Sequence, residues 1–464
     1  MYRTIVLSLG LLFFGTLSVV RAQDASLSLE AFLGYVKSYH PFVKQAQLRL
    51  SESEAKLLKQ RGAFDPKLTF DQKQKNFKGT TYYDQQEARI QVPTYYGLSL
   101  DAGVQEAAGV FLNPENQVSG DRLYSLGASV ELGRGLLSNP RQTALKQAKL
   151  FTEQAQEENI LEVNQILMAA SHAYLDWYKA YRTYQIYDAF VANAAFRFEG
   201  VKKRMRAGDL AVIDTTEARI AYNQRRLNRE AAQLQWRKKS LLVSNFLWID
   251  DQPATIDLSV RPDVDDDRFI TLFTPDTLAI ENHPKLRALG YKRDQLVLEK
   301  RLQKSSLLPQ VSLRYQWLSE TDPLVQPPVA LDPDNSTKAL KMAIPLFLRK
   351  ERANLKLATL KLEGMDWEQS QTKIALENKI AALYAQQERL QEQVVLSQRM
   401  VADYQLLFEG EQKKFEAGES SLFLVNARES KLIEALLKAI SLEVAQKKAS
   451  TSYYYATQFP ETVL

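Results

Sequence analysis

KRMRAGDLAVIDTTEAR, residues 203–219, and KKFEAGESSLFLVNAR, residues 413–428, write one turn twice, with Gly208 and Gly418 standing 210 residues apart. In each copy Ala-Gly is followed by an acid, Ala207-Gly208-Asp209 and Ala417-Gly418-Glu419, between two charged helical runs. Glycine accepts the left-handed conformation that closes a helix, and an acid suits the start of the next one. Each stretch reads as the tip of a helical hairpin.

Outward from the tips the duplication extends over the chain, and such repeats outrank any local signal in deciding a fold. Upstream lie two very long helical segments, Arg141 to Arg206 and Lys350 to Phe415, without proline and with glycine only at Gly200, Gly364 and Gly410. At ~1.5 Å per residue each extends roughly 100 Å. Ile160, Val163, Leu167, Ala170, Tyr174, Trp177, Tyr181 and Tyr184 form a heptad seam in the first. In the second, Ile380, Leu383, Leu390, Val394, Val401, Tyr404 and Phe408 keep that rhythm, with Gln387 and Ser397 in the gaps. Returning helices run from about Leu210 to Trp248 and Leu422 to Phe459, the first with Ile220, Leu227, Leu234, Leu241 and Trp248 at sevenfold spacing. Further upstream, His40-Pro41 and His283-Pro284 each open a helix that closes at a proline, Pro66 and Pro309. Repeat one covers 27–248 and repeat two 276–459, with a connector at 249–275 and a tail at 460–464. The connector is rich in Asp and Pro, lacks helical period and has room for one short strand. Its Asp263, Asp265, Asp266 and Asp267 suit either a calcium loop or a solvated linker, and the glycine and terminal glutamate of an EF-hand are missing.

Between Pro66 and Arg141, apolar residues occupy alternate positions: Ala88, Ile90, Val92; Leu98, Leu100, Ala102, Val104; Tyr124, Leu126, Ala128, Val130, Leu132. Val311, Leu313, Tyr315 and Trp317, then Leu340, Met342 and Ile344, repeat the pattern in the second half. Period two means strands with one apolar face. A chain otherwise made of long helices has no second sheet to cover that face, so lipid must do it, with Tyr82, Tyr83, Tyr95, Tyr96, Tyr124, Tyr315 and Trp317 as interfacial aromatics. Two strands from the second half and two to four from the first cannot close a barrel, and open edges in hydrocarbon are forbidden, so several copies must join.

Composition narrows the function. The 464 residues carry a formal charge of +5, too mild for nucleic acid. Residues 1–22, with Arg3, an apolar run from Ile5 to Val20 and Ala22 before Gln23, read as a secretory signal rather than a stop-transfer anchor, since the run is short for a spanning helix. Cysteine is absent, so no disulfide supports the exported fold and no lipid can be attached through cysteine. His40 and His283 are read as helix caps and His172 as a packing residue rather than as metal ligands. No phosphate loop, GxSxG or cysteine nucleophile appears, so neither a catalytic site nor a cofactor is expected.

The paired His-Pro starts, the matched Pro66 and Pro309, LGRGLLSNPR and IPLFLRKER at the strand-to-helix junctions, and the tips ending in Ala218-Arg219 and Ala427-Arg428 together resemble the TolC family of outer-membrane efflux channels. The resemblance covers nearly the whole mature chain. It implies a mainly α fold with a membrane β-barrel portion: long periplasmic coiled-coil hairpins, plus strands contributed to a barrel shared by a homotrimer in outer-membrane lipid. It further implies a passive exit duct of a tripartite efflux or type I secretion system, driven by an inner-membrane pump and opened by a periplasmic adaptor. Arg204, Ala207, Gly208, Leu210, Phe415, Ala417, Gly418, Ser421 and Leu422 would form the tip that the adaptor touches. Asp209, Asp214, Glu217 and Glu419 are the gate candidates, and helix capping or a solvated face is the competing role for Asp209, Asp214 and Glu217. Two departures stand out. Leu424 and Ala427 occupy the second-half positions where acids are expected, leaving Glu419 or Glu411 to serve, and RIQVPTYYGLSLDAGVQ adds strand to the first half. A secreted coiled-coil adhesin would also satisfy the heptads, and an exported enzyme has no supporting constellation.

Overall fold

The computed structural model describes residues 26–117, 122–133, 138–273, 280–321 and 334–458. In chain order its elements are β1 (Ser26–Ser28), α1 (Leu29–Tyr39), α2 (Pro41–Arg61), β2 (Lys67–Phe77), β3 (Thr80–Pro93), β4 (Leu98–Ala108), β5 (Leu123–Gly133), α3 (Pro140–Arg206), α4 (Val212–Ser244), β6 (Trp248–Ile249), β7 (Gln252–Pro253), β8 (Arg261–Asp263), α5 (Asp266–Leu272), α6 (Pro284–Ser305), β9 (Gln310–Ser319), β10 (Ser336–Ala343), α7 (Arg349–Glu416) and α8 (Leu422–Thr457). The expected leader at 1–22, residues 134–137 of the LGRGLLSNPR junction, the connector's last two residues and the 460–464 tail lie outside the described residues.

Proline at the first position of α2, α3 and α6 sets φ where the missing N–H costs nothing. The residue before it supplies the cap: Phe42 N donates to His40 Nδ1 at 3.3 Å, Lys285 N to His283 Nδ1 at 3.0 Å, and Gln142 N to Asn139 Oδ1 at 2.7 Å. With no internal proline, α3 and α7 run unbroken for 67 and 68 residues.

The chain packs as two compact units, neither coinciding with a repeat. The sheet unit takes in residues 36–172, 273–396 and 445–464. Its centre is a six-stranded antiparallel sheet in the order β10-β9-β5-β4-β3-β2, so the repeats meet at β5–β9. The first repeat gives four strands and the second two. Its helices form a row. Val43 and Ala46 of α2 pack on Val163 of α3; Gln147 Nε2 of α3 donates to Gln295 O of α6 at 3.0 Å; Arg293 Nε of α6 donates to Asp366 Oδ1 of α7 at 2.7 Å. The end of α8 lies against α3, where His172 Nε2 sits 3.1 Å from Ser452 Oγ, a packing role.

The tip unit takes in residues 1–35, 173–272 and 397–444. Inward positions of α3 build its core: Tyr174, Leu175 and Trp177 are fully buried, and Tyr181 and Tyr184 flank the Trp236 ring of α4, each at 5.1 Å. Phe190, Phe408, Val425, Leu432 and Ile433 form a second cluster that binds α3, α7 and α8. The sevenfold stripe of α4 is another matter: the helix ends at Ser244, so Trp248 falls in β6 rather than on the stripe. Ala218, Arg225, Ala232, Trp236, Ser240 and Val243 are the buried residues of α4, whereas Ile220, Leu227, Leu234 and Leu241 stay exposed, Leu227 at 65%.

The connector holds more structure than one strand. β6 and β7 form a hairpin whose turn residues Asp250 and Asp251 have φ of 48° and 66°, the left-handed pair that short hairpins favour. β8 pairs in parallel with β1, and α5 follows. Asp265 Oδ1 accepts from Asp267 N at 3.0 Å, so this acid caps α5, and Asp263 N donates to the buried Tyr174 hydroxyl at 2.9 Å. The segment is therefore more ordered than a linker with one short strand, while its four acids stay exposed: Asp265 caps α5 through its side chain, and Asp263 bonds through its backbone.

Candidate functional site: the hairpin tips and the sheet

Both tips close with one backbone device. At the first, Gly208 N donates to Met205 O at 3.1 Å and Asp209 N to Arg204 O at 2.9 Å; at the second, Gly418 N donates to Phe415 O at 3.1 Å and Glu419 N to Lys414 O at 2.8 Å. This 6→1 and 5→2 pairing requires a left-handed residue, and Gly208 and Gly418 have φ of 89° and 82°. The restarts differ. Ala211 cannot cap α4, so Asp214 reaches back and its Oδ2 accepts from Ala211 N at 3.1 Å. On α8 the cap is Ser421, whose Oγ accepts from Leu424 N at 3.4 Å.

The two tips are brought together. Val201, Ala218 and Leu422 share a small core edged by Phe198, Leu210 and Phe415, and the Arg204 guanidinium lies 5.5 Å from the centre of the Phe415 ring. Of the nine tip residues named from sequence, Leu210, Phe415 and Leu422 thus face one another. Among the gate candidates, Asp209 and Glu419 occupy the turns themselves, Asp214 caps α4, and Glu217 Oε1 accepts from Asn426 Nδ2 at 3.3 Å. Glu411 accepts from the Ser420 hydroxyl, and that bond with nearby Lys414 and Arg428 holds its carboxyl below the usual range.

Sequence reasoning missed the polar core above the tips. Glu429, 1% exposed, lies between two arginines. Arg225 Nε of α4 donates to its Oε1 at 3.1 Å and Arg197 of α3 binds Oε2. Arg225 Nη2 reaches Ser430 Oγ at 2.8 Å and Arg197 Nη1 reaches Asn426 Oδ1 at 3.1 Å, which connects the network to Glu217. A carboxylate so deep in the protein needs this full set of donors, because burial of an unpaired charge is prohibitive. Its sequence signal was slight: one acid, followed by Ser430, on the apolar face of a helix.

In the sheet unit, register puts the alternating apolar residues on one face. Leu68, Ile90, Ala102, Leu126 and Trp317 stand level across β2, β3, β4, β5 and β9, and Val130, Leu313 and Leu340 across β5, β9 and β10. Leu68, Phe70, Ile90, Leu100, Leu126, Leu313, Leu340 and Met342 are exposed there. The band also slants. Thr69, between Leu68 and Phe70, is carried by register through Arg89, Gly103 and Ser125 to Leu318, whereas Lys341, between Leu340 and Met342, pairs with Ser312. It slides six residues over the five steps from β2 to β10. At ~3.4 Å per residue and ~4.8 Å per step, a band level with a membrane requires strands tilted by roughly 40°, within the range of membrane barrels.

The opposite face is polar. Asp101, 2% exposed, accepts from Gln316 Nε2 at 2.7 Å and has Arg89 Nη1 at 3.6 Å, which braces β3, β4 and β9 across the repeat boundary. Gly127 makes the crossing possible, since a Cβ there would stand 2.6 Å from Gln316 Cγ. A recess of about 810 Å³ on this face is lined by Glu131, Asn139, Arg141, Arg314 and Lys341 among others. Among the described residues, no helix is long and apolar enough to cross a membrane.

The model of the outer membrane efflux protein family matches residues 277–456, the second repeat. No curated protein sequence matches the chain. Among solved structures it is similar to CusC, with TM-score 0.66 and 16% identity over 92% of this chain and 91% of that one. The Campylobacter jejuni outer-membrane channel CmeC gives TM-score 0.61 and 12% identity over 94% and 86%. The open state of the Neisseria gonorrhoeae outer-membrane channel MtrE gives 0.54 and 13% over 98% and 97%. With the family's model on the second repeat and the channel fold over more than nine-tenths of its length, this chain has the fold of the outer-membrane efflux channels, and its second repeat matches their family.

Proposed function

We propose that the chain forms an outer-membrane channel with its helices in the periplasm, a passive exit duct built from three copies, closed at its inner end by the hairpin tips and opened when a periplasmic adaptor engages them. The observation that carries this reading is that the chain is unfinished in two places by the same measure. The described sheet ends in β2 and β10, each paired on one side only, and α4 leaves Ile220, Leu227, Leu234 and Leu241 exposed at coiled-coil spacing. Apolar seams and strand edges of this kind are satisfied by further copies joined head to tail in a ring. An inner-membrane pump supplies the energy for a tripartite efflux or type I secretion assembly. A secreted adhesin gives no reason for a sheet with an exposed, tilted apolar band.

The tip region supplies the gate. The carboxylates of Asp209, Asp214, Glu217 and Glu419 lie at or just beyond the turns, and the Arg197–Glu429–Arg225 network fixes α3, α4 and α8 to one another a few turns above. The adaptor contacts Arg204, Ala207, Gly208, Leu210, Phe415, Ala417, Gly418, Ser421 and Leu422. Fractionation with light scattering in detergent tests the assembly: outer-membrane trimers are expected, and a water-soluble monomer would overturn the reading.

A further inference from the structure

We propose that copies of this chain join through β2 of one and β10 of the next, each supplying six strands, so that a ring of three closes an eighteen-stranded barrel. The proposal rests on the trimeric reading and goes beyond it by naming the joint and the strand count. In the described sheet every strand but β2 and β10 has a partner on both sides, and these two are also the most exposed along their lengths. The outer edge of a strand cannot face hydrocarbon without a partner. Six alternating strands leave β2 and β10 running in opposite directions, so a head-to-tail ring keeps every neighbouring pair antiparallel. A parity of five or seven would not.

The slanted apolar band sets the register of the joint. Across the sheet it drops a little more than one residue per step. One further step from β10 lays Leu340 and Met342 against Leu68 and Phe70 of the next copy, and puts Lys341 beside either Thr69 or Asp71 on the polar face. Within the same unit the joint continues below. α2, which leads into β2, and α7, which leaves β10, end the row of helices and expose apolar side chains, Leu48 and Leu58 on one, Leu360, Trp367 and Ile374 on the other.

The count has a visible source. In the second repeat the chain passes from Pro309 through β9 and β10 into α7, whereas in the first it passes from Pro66 through β2, β3, β4 and β5 into α3. β3 and β4, the RIQVPTYYGLSLDAGVQ segment, are an inserted pair. Without it a ring of three would have twelve strands. Barrel diameter grows roughly linearly with strand number, so the insertion makes the outer opening about half again as wide, in the range where barrels hold an aqueous channel.

The chain has no cysteine, so an introduced pair is the sole source of disulfides. Opposed residues of an antiparallel pair lie at bridging distance. Two double variants, Asp71→Cys with Lys341→Cys and Thr69→Cys with Lys341→Cys, cover both registers. One of them should run after oxidation as covalent dimer and trimer on a denaturing gel, and the single-cysteine variants should not. A trimer by light scattering with no crosslink in either variant overturns the joint and leaves the trimeric reading standing; a monomer sinks that reading first. Electron microscopy of the unmodified trimer in nanodiscs decides independently of the variants, with eighteen strands supporting the proposal and twelve, with β3 and β4 outside the wall, overturning it.

Discussion

Around Gly208 and Gly418 the two repeats trace the same backbone cap, yet eleven residues beyond each glycine they part: α4 carries Arg219, exposed, and α8 carries Glu429, buried between Arg197 and Arg225. Strands part in the same way, four in one repeat and two in the other. Duplication fixes what each half must do alone, which is to turn a long helix back on itself. What the halves do to each other requires them to be unlike, because a charge needs an opposite partner rather than a copy. Glu429 therefore offers the sharpest test. Glu429→Ala leaves two arginines in a desolvated site and should cost about 3–5 kcal/mol. Arg219→Ala on the exposed face should stay within about 0.5 kcal/mol. Trypsin cleavage of the tips and thermal melts followed by helicity check both, and equal effects would mean that the asymmetry carries no energy.

The His-Pro starts give the next contrast. Burial, with Lys379 and Lys285 nearby, pushes the His283 imidazole down to about 4 from its ordinary 6.5. The unfolded chain then binds a proton below pH 6.5 that the folded chain refuses until about pH 4, so stability is full above pH 6.5 and falls as pH drops between those values. Allowing for partial solvent screening, the loss is about 2 kcal/mol. Asparagine keeps a cap acceptor without titrating, so His283→Asn should flatten the slope of Tm against pH. An unchanged slope would move the sensitivity elsewhere.

Gly208→Ala and Gly418→Ala should behave alike. Nothing lies within 4 Å of a Cβ built at either position, so the cost is that of the left-handed backbone alone, about 1 kcal/mol each. A large difference between them in chemical denaturation would mean that the tips are not equivalent.

Much of this fold was legible because its signals are periodic. The seam from Ile160 to Tyr184 faces inward, and the α7 seam does too, including Ser397 in one of its gaps, 6% exposed. Alternation in the strands marked the apolar face for the same reason. The sevenfold leucines of α4 obeyed the rule and yet stayed in the open, since period reveals that a stripe will be covered without saying which chain covers it. Glu429, Arg225 and Asp101 were illegible because their meaning lies in partners 204 to 232 residues away in the chain. Asp214 was ambiguous in sequence, as the position that caps a helix is also one that borders the aperture.

That ambiguity can be separated by chemistry. Asp214→Ala removes both cap and charge, with a cost of about 1 kcal/mol, whereas Asp214→Asn keeps an oxygen able to accept from Ala211 N and removes only the charge. If the carboxylate narrows the entrance, Asp214→Asn, with Asp209→Asn beside it, should raise single-channel conductance in a planar bilayer and weaken cation preference while leaving stability almost unchanged. If it is a cap, the asparagine variant should conduct like the parent and the alanine variant should differ only in melting. The second tip completes the comparison. Leu424 stands where Asp214 does in the first, so Leu424→Asp adds a carboxylate to a helix start already capped by Ser421. A drop in conductance there, matched by a rise in the Asp214 variant, would assign the gate to charge at this level of the tip; conductance unmoved by either would assign it to the fit of Leu210, Phe415 and Leu422.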